Sequence, residues 1–112
     1  MAKIADATFK GAKGEYAFEV YPFDQSFNAV GAVYIFTKRA VDSSGKGLHT
    51  FLYIGETEDL SSRIPNHEKW PCARRNGVTC ICVHLDNNSQ SRLAKETDLR
   101  AGNTTPCNDQ QE

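Results

Sequence analysis

No run of apolar residues in this chain approaches the length of about 18 that a helix needs to cross a bilayer, so no membrane span is expected. The N-terminus, Met-Ala-Lys-Ile-Ala-Asp, lacks the apolar centre of a secretory signal, and the expected setting is cytoplasmic. A dominant charge is missing too: 13 Lys and Arg stand against 14 Asp and Glu. Without the strong basic excess of a general nucleic-acid binder, any such partner must be held by a local patch. Cysteine is confined to Cys72, Cys80, Cys82 and Cys107, with no Cys-x-x-Cys knuckle. In a reducing compartment, and in a chain long enough to build a core without staples, these are expected as thiols. The single tryptophan, Trp70, lacks a neighbouring aromatic in sequence, so its expected role is to cover the core, with stacking on a base as the alternative. With 112 residues there is room for one small domain around one core.

What is present reads mainly as strands. Residues 1–7 carry no pattern; Thr8-Phe9-Lys10, a glycine turn at 11–14 and an alternating run from Glu15 to Tyr21 form a hairpin closed by Pro22. Val30 to Thr37 is apolar enough on both faces to be central in a sheet. Lys38 and Arg39 follow, then a glycine- and serine-rich loop, then a second apolar strand, Phe51 to Ile54. Two such strands joined without a helix pair most simply as an antiparallel hairpin, which brings Tyr34 close to Tyr53. Val78 to Leu85 is the third central strand, with Cys80, Cys82 and His84 on one face. Cys-x-Cys-x-His invites zinc, with a fourth ligand from Cys72 or Cys107, but core cysteines and a satisfied or edge histidine are the expected reading. A last helix runs from Gln90 to Arg100 and ends at Gly102. Glu96 falls between Leu93 and Leu99 on its inward arc. A carboxylate there needs a reason: a bound divalent cation is one, and pairing with Arg63 or Arg92 is the other.

The chemistry is densest from Phe51 to His67. Gly55 breaks the strand, and Thr57 is placed to cap a helix whose first turn holds Glu58 and Asp59. Arg63 and His67 stand four residues apart, one helical face if the helix continues, but Pro65 between them must kink or end it. Glu68-Lys-Trp70 then reads as a short helical piece ending at Pro71. A phenol, a guanidinium and an imidazole brought together suit a phosphate.

Ala32-Val-Tyr34, Tyr53-Ile-Gly55, then Arg63 and His67, with Glu96 and Asn108 downstream, resemble the GIY-YIG nuclease domain of homing endonucleases, some restriction enzymes and excision-repair nucleases. The second motif is literal; the first has Ala32 where glycine is expected, with Gly31 one position early. The resemblance covers residues 30–108. It implies an α+β fold, a small central antiparallel sheet of three core strands flanked by helices, with residues 1–29 as an N-terminal extension bearing an added β-hairpin and 109–112 as a tail.

The activity it implies is metal-dependent endonucleolytic hydrolysis of DNA. Glu96 holds one Mg²⁺ or Mn²⁺, Arg63 stabilises the phosphate oxygens, and Tyr34 serves as base with Tyr53 assisting and His67 hydrogen-bonded to the phenol. Asn108 orients a ligand or a backbone segment. Lys38, Arg39, Arg74, Arg75, Arg92 and Lys95 supply a phosphate-binding rim. Glu56, Glu58 and Asp59 make the entrance acidic, and no separate DNA-binding module is apparent. A protein partner, or a structured or damaged DNA, is then expected to supply specificity. The alternative is a catalytically silent scaffold that binds nucleic acid or protein.

Overall fold

Residues 3–108 are described by the structure, a computed structural model. Its elements are β1 (Ala5–Lys10), β2 (Glu15–Pro22), β3 (Ala32–Val41), β4 (Gly47–Thr57), α1 (Leu60–Arg63), α2 (Trp70–Arg75), β5 (Cys80–Leu85) and α3 (Ser89–Gly102). The five strands form one antiparallel sheet in the order β1-β2-β5-β3-β4, curled into a half-barrel. This corrects the expected sheet of three core strands with a hairpin outside it. Strand β2 pairs with β5 through Glu19↔Val83 and Tyr21↔Ile81, so the N-terminal hairpin is part of the sheet. The reason lies on β2, whose Phe18 and Val20 are fully buried and need the apolar surface beside β5. The tail at 109–112 lies outside the described residues.

Alternation along the central strands divides the interior into two clusters. On one face Tyr34, Phe36, Ile81 and Val83 meet Leu52, Leu60, Ile64 and Ala73. On the other, Val33, Ile35, Ile54, Cys80 and Cys82 meet Phe9, Phe18, Val20 and Leu99. The curl brings the two edge strands together at Phe9 and Phe51, whose ring centroids are 4.8 Å apart. Cys80 and Cys82 are therefore buried thiols, while His84 donates from Nδ1 to the Ala17 carbonyl, 2.8 Å away.

Local ends follow their side chains, with two corrections. Strand β4 continues past Gly55 to Thr57, and Asp59 caps α1 by accepting from the Ser61 amide at 2.9 Å. The helix then stops at Arg63, two residues before Pro65. Pro71 does not end a helix; it sits in the first turn of α2, where its missing N–H costs nothing.

Cys72 and Cys107 are joined by a disulfide with Cα atoms 5.8 Å apart, against the expectation of four thiols. Both lie in the first cluster, where α2 meets the segment that closes the edge of β4. There the Cys107 amide donates to the Leu52 carbonyl, and the Asn108 amide imitates a peptide group on both sides of Ile54, at 2.7 and 2.8 Å. Among the described residues no helix is long and apolar enough to cross a membrane.

Leu99 is fully buried, whereas Leu93 is half exposed on the same helix. Leu99→Ala is expected to lower the unfolding free energy by about 2–5 kcal/mol. Leu93→Ala should stay within about 0.5 kcal/mol of the parent, both read from urea denaturation.

Candidate active site at the tyrosine pair

Strand register builds this site. Tyr34 on β3 lies opposite Gly55 on β4, and its ring occupies the space a side chain at 55 would need. A Cβ on Gly55 would stand 2.8 Å from Tyr34 Cζ and 2.7 Å from Tyr53 Cε2. The glycine of Tyr-Ile-Gly is thus a packing requirement of the two phenols. Their ring centroids are 6.1 Å apart, and His67 meets both, at 5.6 Å from Tyr34 and 4.7 Å from Tyr53. Phe36 closes the cluster against His67 and Trp70.

Hydrogen bonds fix the tautomer of His67. Its Nδ1 accepts from the Lys69 amide at 3.1 Å, so the neutral ring carries its proton on Nε2 and donates it to the Tyr34 hydroxyl, 2.7 Å away. Burial, reinforced by the Arg63 charge, pushes the imidazole down to about 4. Burial likewise raises both phenols, with Arg63 opposing. Tyr34 is completely buried and Tyr53 half-buried, so Tyr53 is the phenol within reach of a substrate.

Pro65 does not separate Arg63 from His67. The chain turns after α1 rather than continuing as a helix, and Arg63 acts electrostatically on Tyr34, Tyr53 and His67 from one position. Its guanidinium is also held by Glu68 in a fork of 2.7 and 3.1 Å, which pulls the Glu68 carboxyl down to about 2. Sequence reading passed over Glu68; a carboxylate five residues beyond Arg63, just past a chain turn, was the available signal.

Glu96 on α3 reaches the same neighbourhood. Its side chain is 18% exposed and pairs with Arg100 at 3.8 Å, not with Arg63 or Arg92. Burial raises its carboxyl, as does Glu56, despite Arg100, and its charge is felt at Tyr53. A half-buried carboxylate in a 3.8 Å ion pair fits a hard divalent cation of the Mg²⁺ or Mn²⁺ kind, which needs few protein oxygens when other ligands come from outside the protein. Among the described residues no group of three or more His, Cys, Asp or Glu is arranged to hold a metal. Cys72 and Cys107, the candidates for completing a zinc site with Cys80, Cys82 and His84, are bonded to each other. Asn108 stays at the back of β4, bracing Ile54 next to Tyr53.

The basic residues separate into two groups. Arg92 is buried, its Nε 2.8 Å from Glu56 and its Nη1 donating to the Asp86 carbonyl, and Lys95 lies between Asp86 and His84. These two serve α3 packing rather than a rim. Arg39 folds over Gly47 with a buried Nε that has no hydrogen-bond partner. Lys38 lies along Gly77, next to exposed Arg74 and Arg75 at the end of α2, and these three form one basic corner. Compared with known proteins, the chain matches no family model, no curated protein and no solved structure.

Two consequences are measurable. Gly55→Ala should cost about 1–3 kcal/mol in chemical denaturation, because the new methyl meets both tyrosine rings. His67 has a folded value near 4, below its ordinary 6.5. The unfolded chain therefore takes up a proton that the folded chain refuses, so stability is complete above about 6.5 and declines as pH falls toward 4. An NMR titration should show the His67 ring unprotonated at pH 5.5, and His67→Gln should flatten the loss of stability across that window.

Proposed function

We propose that this chain is a small metal-dependent endonuclease of the GIY-YIG kind, hydrolysing phosphodiester bonds in DNA. The observation that carries the reading is the meeting of Tyr34, Tyr53, Arg63 and His67 in one ring-packed cluster, with Glu96 acting electrostatically on Tyr53. A solvated surface or a plain hydrophobic core has no need of that set.

In this reading the phosphate docks at Arg63, displacing the Glu68 carboxylate from the fork, and the guanidinium holds the oxygens on which charge accumulates. Tyr53, half-buried, faces the attacking water and orients it. Tyr34 works behind it: the Nε2–H of neutral His67 and the Arg63 charge favour negative charge on its oxygen, against the burial that opposes it. Glu96 would hold Mg²⁺ or Mn²⁺, with the Glu56 charge acting on it, and the ion would supply neutralisation of phosphate charge and favour ionisation of nearby oxygens. The corner of Lys38, Arg74 and Arg75 guides the strand by its phosphates. A partner protein or a distorted DNA supplies specificity. The setting is cytoplasmic, where burial of Cys72 and Cys107 shields their bridge from reductants.

One observation favours a second reading, a silent binding scaffold: Arg63 and Arg92 are already engaged by carboxylates, Arg63 by Glu68 and Arg92 by Glu56. Cleavage of supercoiled, linear, single-stranded and branched DNA with Mg²⁺, Mn²⁺ or chelator separates the two. The nuclease gives metal-dependent cuts, abolished in Glu96→Gln and reduced about a hundredfold or more in Arg63→Ala. Glu68→Gln should lower KM by releasing the fork. A folded protein that binds DNA without cutting it, equally with and without Glu96, establishes the scaffold instead.

A further inference from the structure

Beside α1, away from the tyrosine pair, lies a cavity of about 290 Å³ bounded by Phe23, Gln25, Phe27, Ile64, Trp70 and Arg74. Its aromatic walls are Phe23, Phe27 and Trp70, with the buried ring of Phe36 supporting Trp70 from the core. Phe23 and Trp70 meet at 64° with centroids 6.4 Å apart, Phe36 stacks on Trp70 at 4.5 Å, and the Arg74 guanidinium carbon is 5.7 Å from the Trp70 centroid. Trp70 thus both covers the core, as expected from sequence, and presents surface to the cavity. Its orientation is held by the indole N–H, which donates to the Ile64 carbonyl at 2.7 Å.

Two details point to a ligand. Phe23 is 40% exposed, whereas Phe9, Phe18 and Phe36 are buried, so an aromatic ring is spent on the cavity mouth rather than on the core. Within the lining, Gln25 donates through Nε2 to the Ser26 carbonyl, while its Oε1 is shielded from solvent and receives no hydrogen bond. An amide oxygen in that state is satisfied when a ligand brings an N–H. Asp24 offers a second acceptor in the same lining, and Arg74 leads to the basic corner with Arg75 and Lys38. Helix α1 is shared with the phosphate site: Ser61 and Ile64 line the cavity, and Arg63 between them points to the tyrosines.

We propose that this cavity receives one unpaired nucleobase bearing an exocyclic amine, which stacks on the aromatic wall and donates to Gln25 Oε1 and Asp24. Its class is adenine, cytosine or guanine, whose exocyclic amine brings two N–H groups; thymine and uracil offer one ring N–H flanked by two carbonyl oxygens and so satisfy at most one of the two acceptors. A base inside an intact duplex has its pairing edge occupied and its faces stacked, so the substrate is single-stranded or carries an extruded base. The proposal rests on the phosphodiester reading only for the phosphate that accompanies the base at Arg63.

The one tryptophan of the chain sits in the cavity and reports on it directly. Trp70 emission is followed while oligo(dA), oligo(dC), oligo(dT) and an oligo(dA)·oligo(dT) duplex are added in chelator, so that no cleavage intervenes. Oligo(dA) and oligo(dC) are expected to quench it and to bind about tenfold tighter than oligo(dT), with little quenching by the duplex. Phe23→Ala should weaken single-strand binding about tenfold with an unchanged melting temperature, since the side chain is exposed. Gln25→Leu should erase the amine preference and retain stacking. Equal quenching by duplex and single strand, or unchanged binding in Phe23→Ala, overturns the proposal. If no DNA is cut with Mg²⁺ or Mn²⁺ but this quenching pattern holds, the nuclease reading fails and the base cavity stands. Metal-dependent cutting with Phe23→Ala binding like the parent sinks the cavity alone.

Discussion

The contact between the Tyr34 ring and Gly55 holds the rest of this structure in place. It joins β3 to β4 in one register, because a shift by one residue would set a side chain against the ring and turn the buried faces outward. It also leaves the Tyr34 hydroxyl within reach of His67 Nε2, so the irregular segment after α1 is fastened to the sheet by a buried hydrogen bond. The aromatic cluster of Tyr34, Phe36, Tyr53, His67 and Trp70 grows from that junction.

Burial then determines the electrical character of the site. His67 is kept neutral with its proton on the nitrogen that faces Tyr34, and the phenols are kept protonated. Arg63 is the positive charge within this low-dielectric neighbourhood that acts on all three rings, and Glu68 balances it from the exposed side. An anion that takes the place of Glu68 gains the same fork geometry. Glu96 and Glu56 set the opposite sign nearby, and the charges of Arg63 and Glu96 oppose each other at Tyr53.

The edges of the sheet are protected by different means. Part of β4 is covered by the Asn108 amide and the Cys107 backbone, with the disulfide tying that cover to α2. The hairpin of β1 and β2 is tied to α3 through Asp98, which accepts from the amides of Lys13 and Gly14 and from the Tyr16 hydroxyl. A single carboxylate thus couples the N-terminal hairpin to the helix that carries Glu96, another reason the hairpin is inseparable from the sheet.

Much of this was legible in the chain itself. Apolar runs at 30–37, 51–54 and 78–85 specified three of the five strands, the second of them an edge strand in the sheet, and the short loop between the first two specified their antiparallel pairing and the approach of Tyr34 to Tyr53. Local pattern also placed the last helix, which Asn88 caps in the structure. What sequence left open were long-range choices. Which strand the hairpin would join, which arginines would be consumed by Glu56 and Glu68, and which cysteines would meet all depend on separations of many residues, where periodicity carries no information. The inward arc of α3 holds for Leu99, which is buried, but not for Leu93, which is half exposed, because helical periodicity does not say how far the sheet extends over the helix. Sequence by itself determined the strand faces and the set of reactive side chains, since both follow from local alternation and residue chemistry. Tertiary structure alone decided which of those side chains are buried, paired or open to a ligand, because desolvation and ion pairing arise only when distant segments pack.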